Sequence, residues 1–152
     1  MNQKVIDLLN EARARELGAI SQYMTQHYEL EDTQFGKLAE RLKAIGVEEM
    51  RHAEALAERI LFLGGLPVTK PSGETKRKEE IPALLRTDIG LEQEAVAMYN
   101  RSAGICAQEG DNVSRNLFEK LAKEEEEHLD EFENTADHVD KLGAAYLATL
   151  TG

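Results

Sequence analysis

Six residues in this chain have the types and spacing of a metal centre. Glu49 is followed three residues later by His52, and Glu125 three residues later by His128. A Glu-x-x-His step puts a carboxylate and an imidazole on one face of a helix, about one turn apart. Upstream of each pair stands another glutamate at a matched distance: Glu16 lies 33 residues before Glu49, and Glu92 lies 33 before Glu125. Seven residues beyond each of these comes a tyrosine, Tyr23 and Tyr99. One Glu-x-x-His is common by chance in a charged helix. Two, each with a matched glutamate and tyrosine, mark a helical hairpin present twice about an approximate twofold axis.

The chemistry follows from charge. Four carboxylates facing one core repel each other and resist burial as anions. Two divalent cations neutralise them. Carboxylate oxygen and imidazole nitrogen suit iron or manganese. The single cysteine, Cys106, excludes any CxxC site for a softer metal and any intramolecular disulfide. By pattern, Glu16 and Glu92 are terminal ligands, Glu49 and Glu125 bridge, and each metal takes one histidine. Tyr23 and Tyr99 lie two turns along from the terminal glutamates on the same face. Each is either a hydrogen-bond donor to a site carboxylate or a core tyrosine with some other partner.

Positioning these residues requires four long helices. The alternating three- and four-residue apolar steps predict them over residues 4–31, 35–63, 82–108 and 112–142, with a short fifth over 144–150 set off by Gly143. The six residues fall within the apolar stripes, near mid-helix. Gly64, Gly65 and Pro67 end the second helix, Pro82 opens the third, and Gly110 with Asp111 reads as a stop followed by an N-cap. The first and third links are short and join antiparallel neighbours. The link over 64–81 is long and polar. A helix of 29 residues is about 43 Å long, and an 18-residue link reaches up to about 60 Å. The link can therefore return along the bundle and make helices two and three parallel. The expected fold is all-α, a ferritin-like four-helix bundle with a long crossover between helices two and three and a short fifth C-terminal helix. Residues 1–152 are expected to form a single domain.

Composition narrows the function. A net charge of −11 disfavours nucleic acid and suits a protein that attracts cations. No apolar run is long enough to cross a membrane or serve as a secretory leader, so the expected compartment is the cytoplasm.

Four stretches resemble the bacterioferritins, and the resemblance covers nearly the whole chain. They are Arg15-Glu16-Leu17 through Gln22-Tyr23, Glu49-Met50-Arg51-His52-Ala53-Glu54, Glu58-Arg59-Ile60-Leu61-Phe62-Leu63-Gly64-Gly65-Leu66-Pro67, and Glu124-Glu125-Glu126-Glu127-His128. The resemblance implies that Glu16, Glu49, His52, Glu92, Glu125 and His128 are the catalytic ligands of a ferroxidase. Its two irons per subunit would be oxidised from Fe²⁺ to Fe³⁺ by O₂ or H₂O₂. It implies a hollow 24-subunit shell that stores and detoxifies iron. It also implies one haem per subunit pair at a twofold interface, held by Met50 from each partner, with Leu17, Ile20, Ser21 and Met24 lining the pocket. Iron release would need a reductase or ferredoxin. Some family members carry a further iron site on the inner surface through a histidine four residues before the acidic residue equivalent to Glu48. Here that position is Ala44, which puts such a site in doubt.

The remaining candidates read as structural. Cys106 is a buried small thiol, His27 borders the core, His138 sits near a helix C-terminus, and the 124–127 acidic run is mostly a solvated face apart from Glu125. Two other functions compete with storage. One is a di-iron peroxidase or oxidase of the rubrerythrin kind, which the missing CxxC pairs disfavour. The other is a haem-binding bundle with a vestigial metal site.

Overall fold

The computed structural model describes residues 2–152. Four long helices, α1 (Gln3–Asp32), α2 (Gly36–Phe62), α3 (Ile81–Gln108) and α4 (Asn112–Leu142), precede a short α5 (Ala144–Ala148). Every expected boundary lies within two residues of the observed one. The local causes are visible. Asn2 caps α1 by accepting from the Val5 amide at 3.2 Å, and Asp111 caps α4 by accepting from Ser114 at 2.9 Å. Gly64, Gly110 and Gly143 stand just beyond helix ends with φ of 88°, 74° and 58°. Only a residue without Cβ takes that conformation at little cost.

α1 pairs with α2 and α3 with α4 as antiparallel hairpins, and the two hairpins meet chiefly through α1 and α3. The segment after α2 runs beside α1 in the same direction. Asn10 Nδ2 donates to the Leu66 carbonyl at 3.1 Å, the Ser72 amide to the Ala14 carbonyl at 2.9 Å, and the Lys76 amide to Gln22 Oε1 at 2.8 Å. Midway, the chain presses so close that a Cβ at Gly18 would lie 2.4 Å from the Ser72 carbonyl oxygen. The link therefore spans the bundle and delivers α3 parallel to α2. α5 folds back so that the Leu150 carbonyl accepts from the Lys37 amide at 3.1 Å, closing an α2 N-terminus that lacks a side-chain cap.

The core lies in two apolar blocks. One gathers residues such as Val5, Leu9, Leu56, Ile60, Tyr99, Cys106, Phe118 and Leu121. The other gathers Ala19, Tyr23, Leu42, Ile45, Leu84, Leu85 and Phe132. Glu16, Glu49, Glu92 and Glu125 form a buried polar layer between them. α1 buries Val5, Leu9, Ala12, Glu16, Ala19, Tyr23 and Leu30 along one face, and α4 buries Leu121, Glu125, His128, Phe132 and Val139. In α3, Ile89 and Val96 are only half-buried, and Leu84, Asp88 and Ala95 take the interior positions. Near 3.6 residues per turn, the inward face drifts by one position along a long helix. Among the described residues, no helix is long and apolar enough to cross a membrane.

Candidate metal centre

The four glutamates arrive one from each long helix, at mid-length, and all are about 1% exposed or less. His52 and His128 stand one turn beyond Glu49 and Glu125, 5% exposed, with ring centroids 6.1 Å apart. Both histidines aim Nδ1 inward. His52 Nδ1 lies 3.2 Å from Glu49 Oε1, 3.4 Å from Glu125 Oε1 and 3.4 Å from Glu16 Oε2. His128 Nδ1 lies 3.1 Å from Glu125 Oε1, 3.3 Å from Glu49 Oε1 and 3.7 Å from Glu92 Oε2. Two overlapping donor sets result, Glu16–Glu49–His52–Glu125 and Glu49–Glu92–Glu125–His128, each with its ligand atoms within 4.8 Å of one another. Glu49 and Glu125 belong to both.

These inward atoms have no adequate hydrogen-bond partners. Glu16 Oε2, both oxygens of Glu49, Glu92 Oε2, Glu125 Oε1 and both Nδ1 atoms are buried and unsatisfied. Buried polar groups in folded proteins are almost always paired. A cluster of orphaned oxygen and imidazole atoms converging on two points is the arrangement two divalent cations would complete.

The electrostatics show what stands in for that charge. Burial pushes the Glu16 and Glu49 carboxyls up, assisted by like-charged neighbours. Burial likewise raises Glu92, to about 7. Burial opposes ionised Glu125 too, but the close approach of the His128 and His52 rings holds its carboxylate well below the ordinary range. Burial also disfavours both imidazolium ions, yet the surrounding carboxylates keep the two rings protonated well above the usual histidine range. Without metal, the centre holds protons where the cations would sit.

The outer contacts cross between the two halves. Tyr23 donates to Glu92 Oε1 at 2.5 Å, and Tyr99 donates to Glu16 Oε1. Each phenol thus bonds the upstream glutamate of the opposite hairpin. The outward nitrogens cross as well. His52 Nε2 lies 2.9 Å from Glu124 Oε2, and His128 Nε2 bonds Glu48 Oε2. Such carboxylates fix ring orientation and tautomer. Glu124 is therefore not simply part of a solvated face, although its side chain is 37% exposed. The repeat carried the signal, because Glu48 and Glu124 each directly precede the shared glutamate of their half.

A second polar feature was not legible. Asp88, one turn before Glu92, and Gln26 are 0% and 1% exposed, and their side-chain oxygens and nitrogen lack adequate partners. Their counterparts in the repeat, Ala12 and Ser102, carry no charge. Burial pushes the Asp88 carboxyl well above its usual value, against a contribution from Gln26. A raised folded-state pKa gives stability that is present below the unfolded value of about 3.9 and lost as pH rises through the folded value. Asp88→Asn is accordingly expected to match wild type near pH 4 and to exceed it by about 1–3 kcal/mol at neutral pH. Thermal unfolding of the metal-free proteins across that range checks this. Equal pH profiles would refute the buried-acid account.

The other sequence candidates lie apart from the centre. Met50 is 45% exposed on α2. The Arg13 contact to the Ala53 carbonyl and the approach of Met24 to Gly46 set α1 against α2 so that Leu17 and Ile20 run alongside Met50. Leu17, Ile20, Ser21 and Met24 are half-buried. Ser21 Oγ lies 2.7 Å from Thr75 Oγ1. Cys106 is buried in the first apolar block, with burial lifting its thiol to about 11. His27 is buried, with Nδ1 2.6 Å from the Ala39 carbonyl oxygen and Nε2 3.0 Å from Glu31. His138 stacks on Tyr146.

Comparison with known proteins places this geometry. Residues 6–142 match the family model of the ferritin-like domain. The bacterioferritin of Desulfovibrio desulfuricans is 44% identical over 98% of this chain and 83% of its own. That of Brucella melitensis is 36% identical over 92% of this chain and 87% of its own. The Desulfovibrio protein, whose crystal structure records a di-iron site in different catalytic states, superposes with a TM-score of 0.97 at 43% identity, covering 99% of this chain and 88% of its own. The Rhodobacter capsulatus bacterioferritin, solved with a metal-free dinuclear site and a haem iron on a crystallographic special position, gives 0.95 at 36% identity, covering 100% of this chain and 95% of its own.

Proposed function

From the premise that this chain belongs to the bacterioferritins, a family of ferritin-like fold whose members store iron, we propose that it is a ferroxidase. It oxidises Fe²⁺ at the six-residue centre and deposits Fe³⁺ inside a hollow cytoplasmic shell of 24 subunits, each folded as one domain. The observation that carries the proposal is the pair of overlapping donor sets sharing Glu49 and Glu125.

Each residue has a part. Glu16 and His52 serve one iron position, Glu92 and His128 the other, and Glu49 and Glu125 lie between. Two Fe²⁺ ions bound there supply one electron each to O₂ or H₂O₂. His52 and His128 give up their Nδ1 protons on binding. Glu48 and Glu124 hold the opposite imidazole nitrogens, so that the rings face inward. Tyr23 and Tyr99 hold one oxygen of Glu92 and Glu16 and leave the other free for metal. The apolar blocks above and below keep bulk water from the layer. Met50 would suit a haem-binding role because it is an exposed thioether beside apolar α1 residues, and a twofold partner would bring a second copy. A reductase or ferredoxin would supply the electrons that release stored iron.

Zn²⁺, which is redox-inert, tests the site without the oxidation chemistry. Two ions per subunit are expected to bind with release of protons. Affinity should fall as pH drops, and more steeply below about 7, where Glu92 also gains its proton. Calorimetry in buffers of different ionisation enthalpy counts those protons. Binding without proton release would contradict the protonated metal-free centre. Size-exclusion chromatography tests the shell, since a 17.0 kDa chain must elute as a very large particle. A dimer would leave the di-iron peroxidase as the better reading.

A further inference from the structure

The centre has two approaches of unequal kind. Between α1 and α3 a crevice walled by Ala19, Leu91 and Ala95 leads straight to the four carboxylates. Its walls are small, but the open space is only about 10 Å³, too little to hold even one water comfortably. Arg15 occupies the mouth. Its side chain, only 13% exposed, reaches from α1 to α3, where Nη1 donates to Glu94 Oε2 at 3.1 Å and Nη2 donates to the Leu91 carbonyl. Its Nε is buried without a partner. The guanidinium has thus given up water on one side to lie across the crevice. A fixed positive charge there repels an approaching cation as well as obstructing it.

The opposite side, between α2 and α4, carries a wider pocket that ends on the outward face of His52. It measures about 270 Å³ and is lined by Glu48, Glu124 and Glu127, with Arg51 and Lys120 also on its wall. Two of these carboxylates already touch the outward nitrogens of the metal-facing histidines. Carboxylate oxygen therefore reaches from the pocket to the two imidazole rings, whose inward nitrogens face the donor sets.

We propose that Arg15 is a plug that shuts the α1/α3 approach, so that divalent cations reach the centre from the α2/α4 pocket. The proposal rests on the reading of the six residues as a divalent-metal centre. The two are separable because occupancy at equilibrium reports the centre and the rate of filling reports the route.

Co²⁺ alone is the probe, mixed without oxidant into the assembled, metal-free protein, with its visible absorption followed by stopped flow. Arg15→Ala opens the crevice and removes the charge. It is expected to load about tenfold faster to the same final absorbance, the scale on which a local field changes cation arrival. Glu94→Gln releases one anchor of the guanidinium from a position 69% exposed, where folding is not at risk. It should load about two- to threefold faster. Glu127→Gln, in the pocket but outside the donor sets, should slow loading about twofold in the wild-type background and have less effect with Arg15→Ala. Unchanged or slower loading in both Arg15→Ala and Glu94→Gln overturns the plug. Unchanged loading in Glu127→Gln overturns entry through the α2/α4 pocket. No Co²⁺ signal in wild type overturns the metal centre and the route together.

Discussion

Glu49→Gln is expected to reduce fast Fe²⁺ oxidation at least about 100-fold while making the metal-free protein more stable. Glu49 Oε1 lies 3.2 and 3.3 Å from the inward nitrogens of both histidines, so this one substitution reaches both donor sets. Loss of an outer carboxylate at a metal site typically costs 10- to 100-fold, and a shared ligand should cost more. The stability gain has the opposite sign for a physical reason. Both oxygens of Glu49 are buried without adequate partners, and burial with neighbouring Glu16 and Glu125 pushes its carboxyl well above the usual value. Its stabilising contribution is present below the unfolded value of about 4.3 and is lost as pH rises through the folded one. At neutral pH the wild type therefore carries a penalty that the neutral amide avoids, of about 1–3 kcal/mol. That gain corresponds to a rise in melting temperature of about 2–4 °C per kcal/mol. Stopped-flow oxidation and calorimetry of the metal-free protein measure the two effects. Fast oxidation at near wild-type rate would remove Glu49 from the centre. Glu16→Gln, which touches one set only, should leave binding at the His128 position.

The second large effect concerns Met50. Met50→Leu keeps an apolar side chain of similar volume and removes only the sulfur. The variant is expected to lose haem almost completely and to retain its Co²⁺ and Fe²⁺ sites. Met50 is 45% exposed and belongs to neither donor set. Absorption of the purified variant in the haem region, set against its protein concentration, is the measurement. Retained haem would mean that the thioether is not the ligand, and that Met50 is an interface side chain. Simultaneous loss of metal binding would mean that the substitution had disturbed α2 as a whole.

Much of this is legible in the sequence. The four long helices have strong periodicity, caps and glycine stops of their own, all local in the chain, and the structure reproduces their ends closely. The crossover was inferable from length alone, because its residues outreach the helix they must span. The Glu-x-x-His steps were readable because residues three apart on a helix share a face. Their recurrence at one spacing made the convergence of both copies a matter of symmetry.

What one helix does not encode is which residue of another helix it will meet. Arg15 reads as one more charged residue on α1, and only the placement of α3 lays its guanidinium over the crevice beside Leu91 and Glu94. Glu124 reads as one of four consecutive glutamates, and it becomes a partner of His52 because α2 and α4 set its half-exposed side chain against that ring. Asp88 reads as a polar neighbour of a buried stripe, and the slow drift of the helix face carries it inside. The sequence by itself determined the six inward donors and the helices that carry them, through periodicities local to each helix. The tertiary structure alone decided how the halves exchange their tyrosines and carboxylates and which side of the centre Arg15 covers. Those contacts join residues that only the packing of helices brings within reach.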